Sequence, residues 1–106
     1  MRILPSKTSA EKFFIDFDFT EADVSDDIAT ATVTAVNNVT GVAVTSTVTD
    51  VTKQVITSPH VYVFVQVGTV NEDYLITCKI TTDTDPVKTF EVSALLPIRD
   101  VTYGQI

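Results

Sequence analysis

Few residues in this chain have types suited to chemistry. His60 is the single histidine and Cys78 the single cysteine. His60 follows Pro59 at the mouth of an alternating run, "HVYVFVQV". A lone imidazole there reads as an exposed loop residue rather than a general base. Cys78 falls on the apolar face of "YLITCKIT". Reactive thiols need exposure and a lowered pKa, so Cys78 reads as an inert core residue. Carboxylates occur in pairs: Asp26–Asp27, Glu72–Asp73 and Asp83–Asp85. Such pairs do acid–base work in a pocket that drives their pKa values apart. These lie in polar turn segments, where Asp bonds to nearby backbone groups. Asp23, Asp26, Asp27, Asp83 and Asp85 would offer oxygen ligands to calcium if their turns met, but their spacing is no EF-hand loop. One Cys and one His complete none of the common zinc sets. Three glycines form no phosphate cradle, and there is no nucleophile elbow. The expectation is a chain with no catalytic residue, no cofactor and no metal site.

The charge narrows the partners. The chain has 106 residues and a formal net charge of −7. That balance argues against a phosphate backbone, which needs clustered Lys and Arg, and against anionic membrane surfaces. The acids concentrate early: Glu11, Asp16, Asp18, Glu21, Asp23, Asp26 and Asp27 stand against Lys12. Such a run is either a solvated face or a surface for a basic partner. The opening "MRILPSKTSA" is short of apolar residues for a signal peptide, and no stretch has the apolar length of a membrane span. One cysteine allows no internal disulfide, in keeping with a reducing cytoplasm. "NVT" at Asn38 to Thr40 is a formal glycosylation sequon, of little meaning without secretion.

The elements that must position these residues read as strands. Val and Thr dominate, both β-branched and suited to a pleated surface. No window shows a helical period. In "FFIDFDF", Phe13, Ile15, Phe17 and Phe19 share one face, and Phe14, Asp16 and Asp18 the other. This is a half-buried strand with its aspartates outward. "IATATVTA", "GVAVTSTVT" and a weaker "VTKQVIT" follow. "HVYVFVQV" sets Val61, Val63, Val65 and Val67 against Tyr62, Phe64 and Gln66, and reads as central, with both faces covered. "YLITCKIT" turns Tyr74, Ile76, Cys78 and Ile80 inward; "KTFEVSALL" turns Phe90, Val92, Ala94 and Leu96 inward. "EADVSDD", "NNVTG", the Asp50 region, "TSPH", "GTVNED" and "DTDP" separate the runs as turns.

Seven short strands with polar turns and no helix predict an all-β, immunoglobulin-like antiparallel sandwich. Tyr74, at the head of its strand, takes the place of a corner tyrosine, whose hydroxyl ties back to the preceding turn. The Cys and Trp of antibody-type domains are missing. The expected organisation is an extended arm over residues 1–10, a sandwich over 11–97 and a second arm over 98–106. Phe17, Phe19, Ile28, Tyr74, Ile76, Cys78 and Phe90 are the expected structural positions.

The order of these features resembles a family of small tailed-bacteriophage virion proteins with immunoglobulin-like folds, often described as fibre–tail adaptors. Their pattern is an aromatic–acidic strand, a strand opening on an acid and Ile, and a "G-T" corner with Tyr. Phe14, Asp16, Phe17 or Phe19, Asp27, Ile28, Thr32, Val33, Gly68, Thr69, Tyr74, Ile76, Thr77, Ile80, Thr81, Thr82 and Ser93 match it. The chain departs from it at Asn71 and Glu72, where the family has a second glycine, and at "DTDPVK", which replaces a glycine-rich hairpin. The resemblance implies a virion protein of the tail or neck, built in the host cytoplasm in several symmetric copies and contacting other virion proteins. A capsid decoration protein and a bacterial adhesin module are the alternatives.

A joint of that kind needs a rigid body and extended pieces that add to neighbours. Ile3, Leu4 and Pro5 in the first arm, and Arg99, Val101, Tyr103 and Ile106 at the other end, are the expected docking residues. Asp16 and Asp18 would guard an edge strand against promiscuous pairing and select a basic partner. On this view, removing residues 1–10 blocks incorporation and leaves the melting temperature of the body unchanged.

Overall fold

A computed structural model describes residues 2–4, 7–20, 27–83 and 86–99. Among these residues the fold is all-β. Its strands are β1 (Arg2–Ile3), β2 (Phe13–Asp18), β3 (Ile28–Asn37), β4 (Val55–Thr57), β5 (His60–Val65), β6 (Asp73–Thr82) and β7 (Thr89–Pro97). One sheet has the order β1-β7-β6-β3 and the other β2-β5-β4. All neighbours run antiparallel except β1, which lies parallel to β7.

The period-2 pattern turns one face of each sheet toward a shared core. Ile15 and Phe17 of β2, Val61, Val63 and Val65 of β5, and Ile76, Cys78 and Ile80 of β6 are all buried in it. Phe19, Ile28 and Tyr74 join them, and Phe90 packs against the cluster half-buried. At two residues per repeat, a slip of one position would carry this whole set to the solvent side. The register is therefore fixed by burial. Asp16 and Asp18 point outward, and β2 forms one edge of its sheet.

Three elements differ from the sequence reading. "GVAVTSTVT" is not a strand. It holds a lone bridge between Ala43 and Val36 and a single helical turn, α1 (Thr45–Val48). Val44 and Val48 sit four residues apart on one side of that turn, and Val48 is fully buried. The Thr45 hydroxyl accepts the Ala35 N–H at 3.0 Å. Tertiary contacts outweigh the β preference of the Val and Thr residues. In "VTKQVIT", Val51–Lys53 is a 3-10 turn, and strand pairing begins only at Val55. Asp50 starts that turn by accepting the Thr52 N–H at 3.0 Å. The alternation in "IATATVTA" sets Ala29, Ala31, Val33 and Ala35 on one face, but a register shift between Ile28 and Thr30 takes Ala29 out of that row, and it is exposed.

β5 is central to its sheet, but among the described residues no second layer covers its outer face: Tyr62 and Phe64 are only half-buried. β7 buries Ala94 and Leu96, while Val92 is 36% exposed.

The ends of the chain lie along β7. The Leu4 N–H donates to Leu95 O at 2.8 Å, and the Lys7 N–H to Pro97 O at 3.0 Å. Lys7 and Ile98 are fully buried, and the Arg99 N–H donates to Lys7 O at 2.9 Å. The described part of residues 1–10 thus lines the edge of the chain's own sheet. At the head of β6, the Tyr74 hydroxyl accepts the Thr69 N–H at 2.9 Å and donates to Glu72 Oε2 at 2.8 Å. Asn71, with φ of 68°, turns the chain between them.

Candidate partner-binding surface

The outer face of β2-β5-β4 gathers the reactive and aromatic side chains that the fold leaves uncovered. Pairing sets them in rows. Phe14 faces Phe64; Asp16, Tyr62 and Val55 form a second row; Asp18, His60 and Thr57 form a third. The central strand therefore presents a line of rings, His60, Tyr62 and Phe64. Phe14 and Phe64 meet edge to face with centroids 5.0 Å apart. His60 stacks on Tyr62 at 5.9 Å, and Lys53 lies 5.2 Å above the Phe64 ring. Phe14, Val55 and Tyr62 line a shallow, wholly apolar depression of ≈ 180 Å³. Phe14 and Val55 are 49% and 46% exposed.

Beside the depression the face is acidic. His60 Nδ1 lies 2.9 Å from Asp16 Oδ1 and 3.9 Å from Asp18 Oδ1. The hydrogen bond to Asp16, helped by the charges of both aspartates, raises the imidazole pKa above its ordinary value. The Thr20 hydroxyl and the Thr20 N–H donate to Asp18 and hold its carboxyl below the usual range. Asp50, bonded to Lys53 at 2.8 Å and to Thr52, is lowered to about 2. The pair Lys53–Asp50 is neutral in sum, and Asp16 and Asp18 outnumber His60, so this end stays negative even with the imidazole protonated. The imidazole lies beside two carboxylates that are about half exposed to solvent. The arrangement suits docking.

The other expected sites fall elsewhere. Ile3 is 69% exposed on β1, and Leu4 packs against the core half-buried. Arg99 is held within the chain: it lies 2.8 Å from Asp73 Oδ1 and donates to the carbonyls of Ile98 and Glu72. Pro5, Val101, Tyr103 and Ile106 lie outside the described residues. Of the candidate calcium ligands, Asp27 and Asp83 do meet, the Asp83 N–H donating to Asp27 O at 3.1 Å. Asp23, Asp26 and Asp85 lie outside the described residues. Among the described residues no three metal-ligating side chains cluster. Cys78 is fully buried, and burial pushes its thiol up to about 12.

Sequence reasoning passed over Phe14, Val55, His60, Tyr62 and Phe64 as one surface. The signal was present: large rings on the polar side of two alternating strands. What was missing was the pairing of β2 with β5.

No curated protein and no solved structure matches the chain. The family model for Gp77, described as "Podophage GP4 fiber-tail adaptor protein gp77", matches residues 7–96. That span takes in every strand from β2 to β6 and nearly all of β7, and the chain belongs to this family of podophage fibre–tail adaptor proteins.

Proposed function

We propose that this protein works as a passive joint between virion components, with no chemistry of its own. It is a structural fibre–tail adaptor, a tail component that binds other virion proteins. The observation that carries this is the family match over residues 7–96. The surface agrees with it, since a half-exposed aromatic face with an acidic end serves recognition better than catalysis.

Several finer points belong to the same reading. The strand order supports an immunoglobulin-like sandwich: β2, β5 and β4 stand where strands B, E and D stand, and β3, β6 and β7 where C, F and G stand. The Tyr74–Thr69 bond fits the corner tyrosine of such domains. A ring of symmetric copies fits a joint in a tail, with assembly in the host cytoplasm and no contact to nucleic acid or membrane. Ile3, exposed on β1 at the sheet edge, and the residues after Arg99 would offer contacts to the neighbours.

Immunogold electron microscopy on phage particles tests the reading. Gold at the tail or neck is the expected result. Gold over the head would make the protein a decoration subunit. Unlabelled particles with labelled cell surfaces would overturn the virion assignment in favour of an adhesin.

A further inference from the structure

We infer that the outer face of β2-β5-β4 docks an extended segment of another virion protein. That segment carries an apolar side chain and, two residues on, a Lys or Arg. The inference rests on the adaptor reading for the source of the partner and on the geometry of this face for its chemistry.

The apolar half of the match comes from the depression lined by Phe14, Val55 and Tyr62. It is open and wholly apolar, and of a size to take one aliphatic side chain. Isolated apolar residues on a surface are ordinary, but contiguous ones mark contact sites. Here the rings of Phe14, Phe64, Tyr62 and His60 adjoin one another across two paired strands. Rigid aromatic side chains are also the residues on which binding energy concentrates.

The basic half comes from charge. Asp16 and Asp18 follow Phe14 along β2 on the same face, at steps of two residues, each roughly 7 Å. A strand lying along β2, with an apolar residue seated beside Phe14, brings its next same-side residue over these carboxylates. A Lys or Arg at that position is favoured. An acidic one is repelled, and like charges in contact are what exclude wrong partners. The same repulsion disfavours a second copy of this chain, whose net charge is −7, as the occupant.

Two experiments on the full chain test this. In the first, 15N-labelled protein is titrated with acetyl-Leu-Ser-Arg-amide and with acetyl-Leu-Ser-Glu-amide. The arginine peptide should shift the amide signals of Phe14, Asp16 and Tyr62. It should bind roughly threefold to tenfold more tightly than the glutamate peptide, as expected for one or two exposed charge pairs. Equal shifts from both peptides, or shifts that map to other residues or to none, would overturn the proposal.

In the second, phage are propagated with the Asp16→Lys/Asp18→Lys variant and, separately, with Phe14→Ser. All three positions face solvent, and melting curves confirm the fold of each variant. Loss of either folded variant from particles that retain the wild-type protein supports docking through this face. Incorporation at wild-type level overturns it, including the case where those particles then adsorb poorly to the host. Absence of the wild-type protein from particles would instead count against the adaptor reading, so the two failures are distinguishable.

Discussion

Tyr74 and Thr69 are joined through the Tyr74 hydroxyl, which accepts the Thr69 backbone N–H at 2.9 Å. The bond pins the turn before β6 to the strand itself. The phenol is almost fully buried, with Tyr74 3% exposed, so water does not replace it freely. Tyr74→Phe should destabilise the domain by about 0.5–1.5 kcal/mol, the net worth of one part-buried hydrogen bond. Urea denaturation reads this as a lower midpoint at unchanged slope. An unchanged midpoint would show that the corner bond adds nothing to stability.

Gly68 lies just before that turn and lets two buried side chains close over it. A Cβ there would stand 2.9 Å from both Cγ1 and Cδ1 of Ile98 and 3.1 Å from Cε2 of Tyr74. Ile98 is itself fully buried and has little room to withdraw. Gly68→Ala should cost about 1–3 kcal/mol as an overpacked core. A thermal melt at or above wild type would show that Ile98 gives way easily.

Residues 2–4 and 7 are bonded to the far half of β7, as the Leu4–Leu95 and Lys7–Pro97 hydrogen bonds show. Removing residues 1–10 should therefore lower stability by at least about 2–3 kcal/mol, at roughly 1 kcal/mol per net hydrogen bond plus the exposure of Ile98. A melting temperature equal to that of the whole chain would restore the view of this segment as a free arm.

Cys78 is sealed in the core with its thiol pushed up to about 12. At pH 8 it is almost entirely protonated and also shielded. A thiol reagent such as dithionitrobenzoate should leave the native protein unlabelled and label it once unfolded in urea. Rapid labelling of the native form would mean that the sheets open locally at β6.

His60 should titrate above 6.5 in the folded chain, with Asp16 as the main cause. Asp16→Asn should bring it back toward 6.5, as followed by the imidazole proton shifts in NMR. The sign for stability follows from linkage. A raised folded pKa favours the fold fully below the unfolded value and loses that contribution as pH rises through the folded value. For Asp18 and Asp50 the sign reverses, because their pKa values are lowered. Their contribution is complete above about 3.8 and fades as pH falls toward the folded values, about 2 for Asp50. The fold should thus lose support at both ends, above about 6.5 from His60 and in acid from the two aspartates.

Most of the strand framework was legible in the sequence because alternation is a local property. Phe13 to Phe19, Tyr74 to Ile80 and the valines of β5 each declare their inward face without reference to any other segment. The outward aspartates of β2 and the inward place of Tyr74 were legible for the same reason. The fate of "GVAVTSTVT" was not. Its Val and Thr residues have the composition of a strand, and the helical turn exists because Thr45 meets Ala35 and Val48 meets the core. The segment expected to stand free as an arm carries Ile3 and Leu4, and nothing local says that β7 will accept them. The candidate surface follows the same division. Phe14, Asp16, His60, Tyr62 and Val55 are separated by up to 48 positions along the chain. Each has a face that the sequence fixes by period, and only the antiparallel register of β2, β5 and β4 decides that those faces form one patch. Local pattern determines which way a side chain points, and the pairing of strands determines what stands beside it.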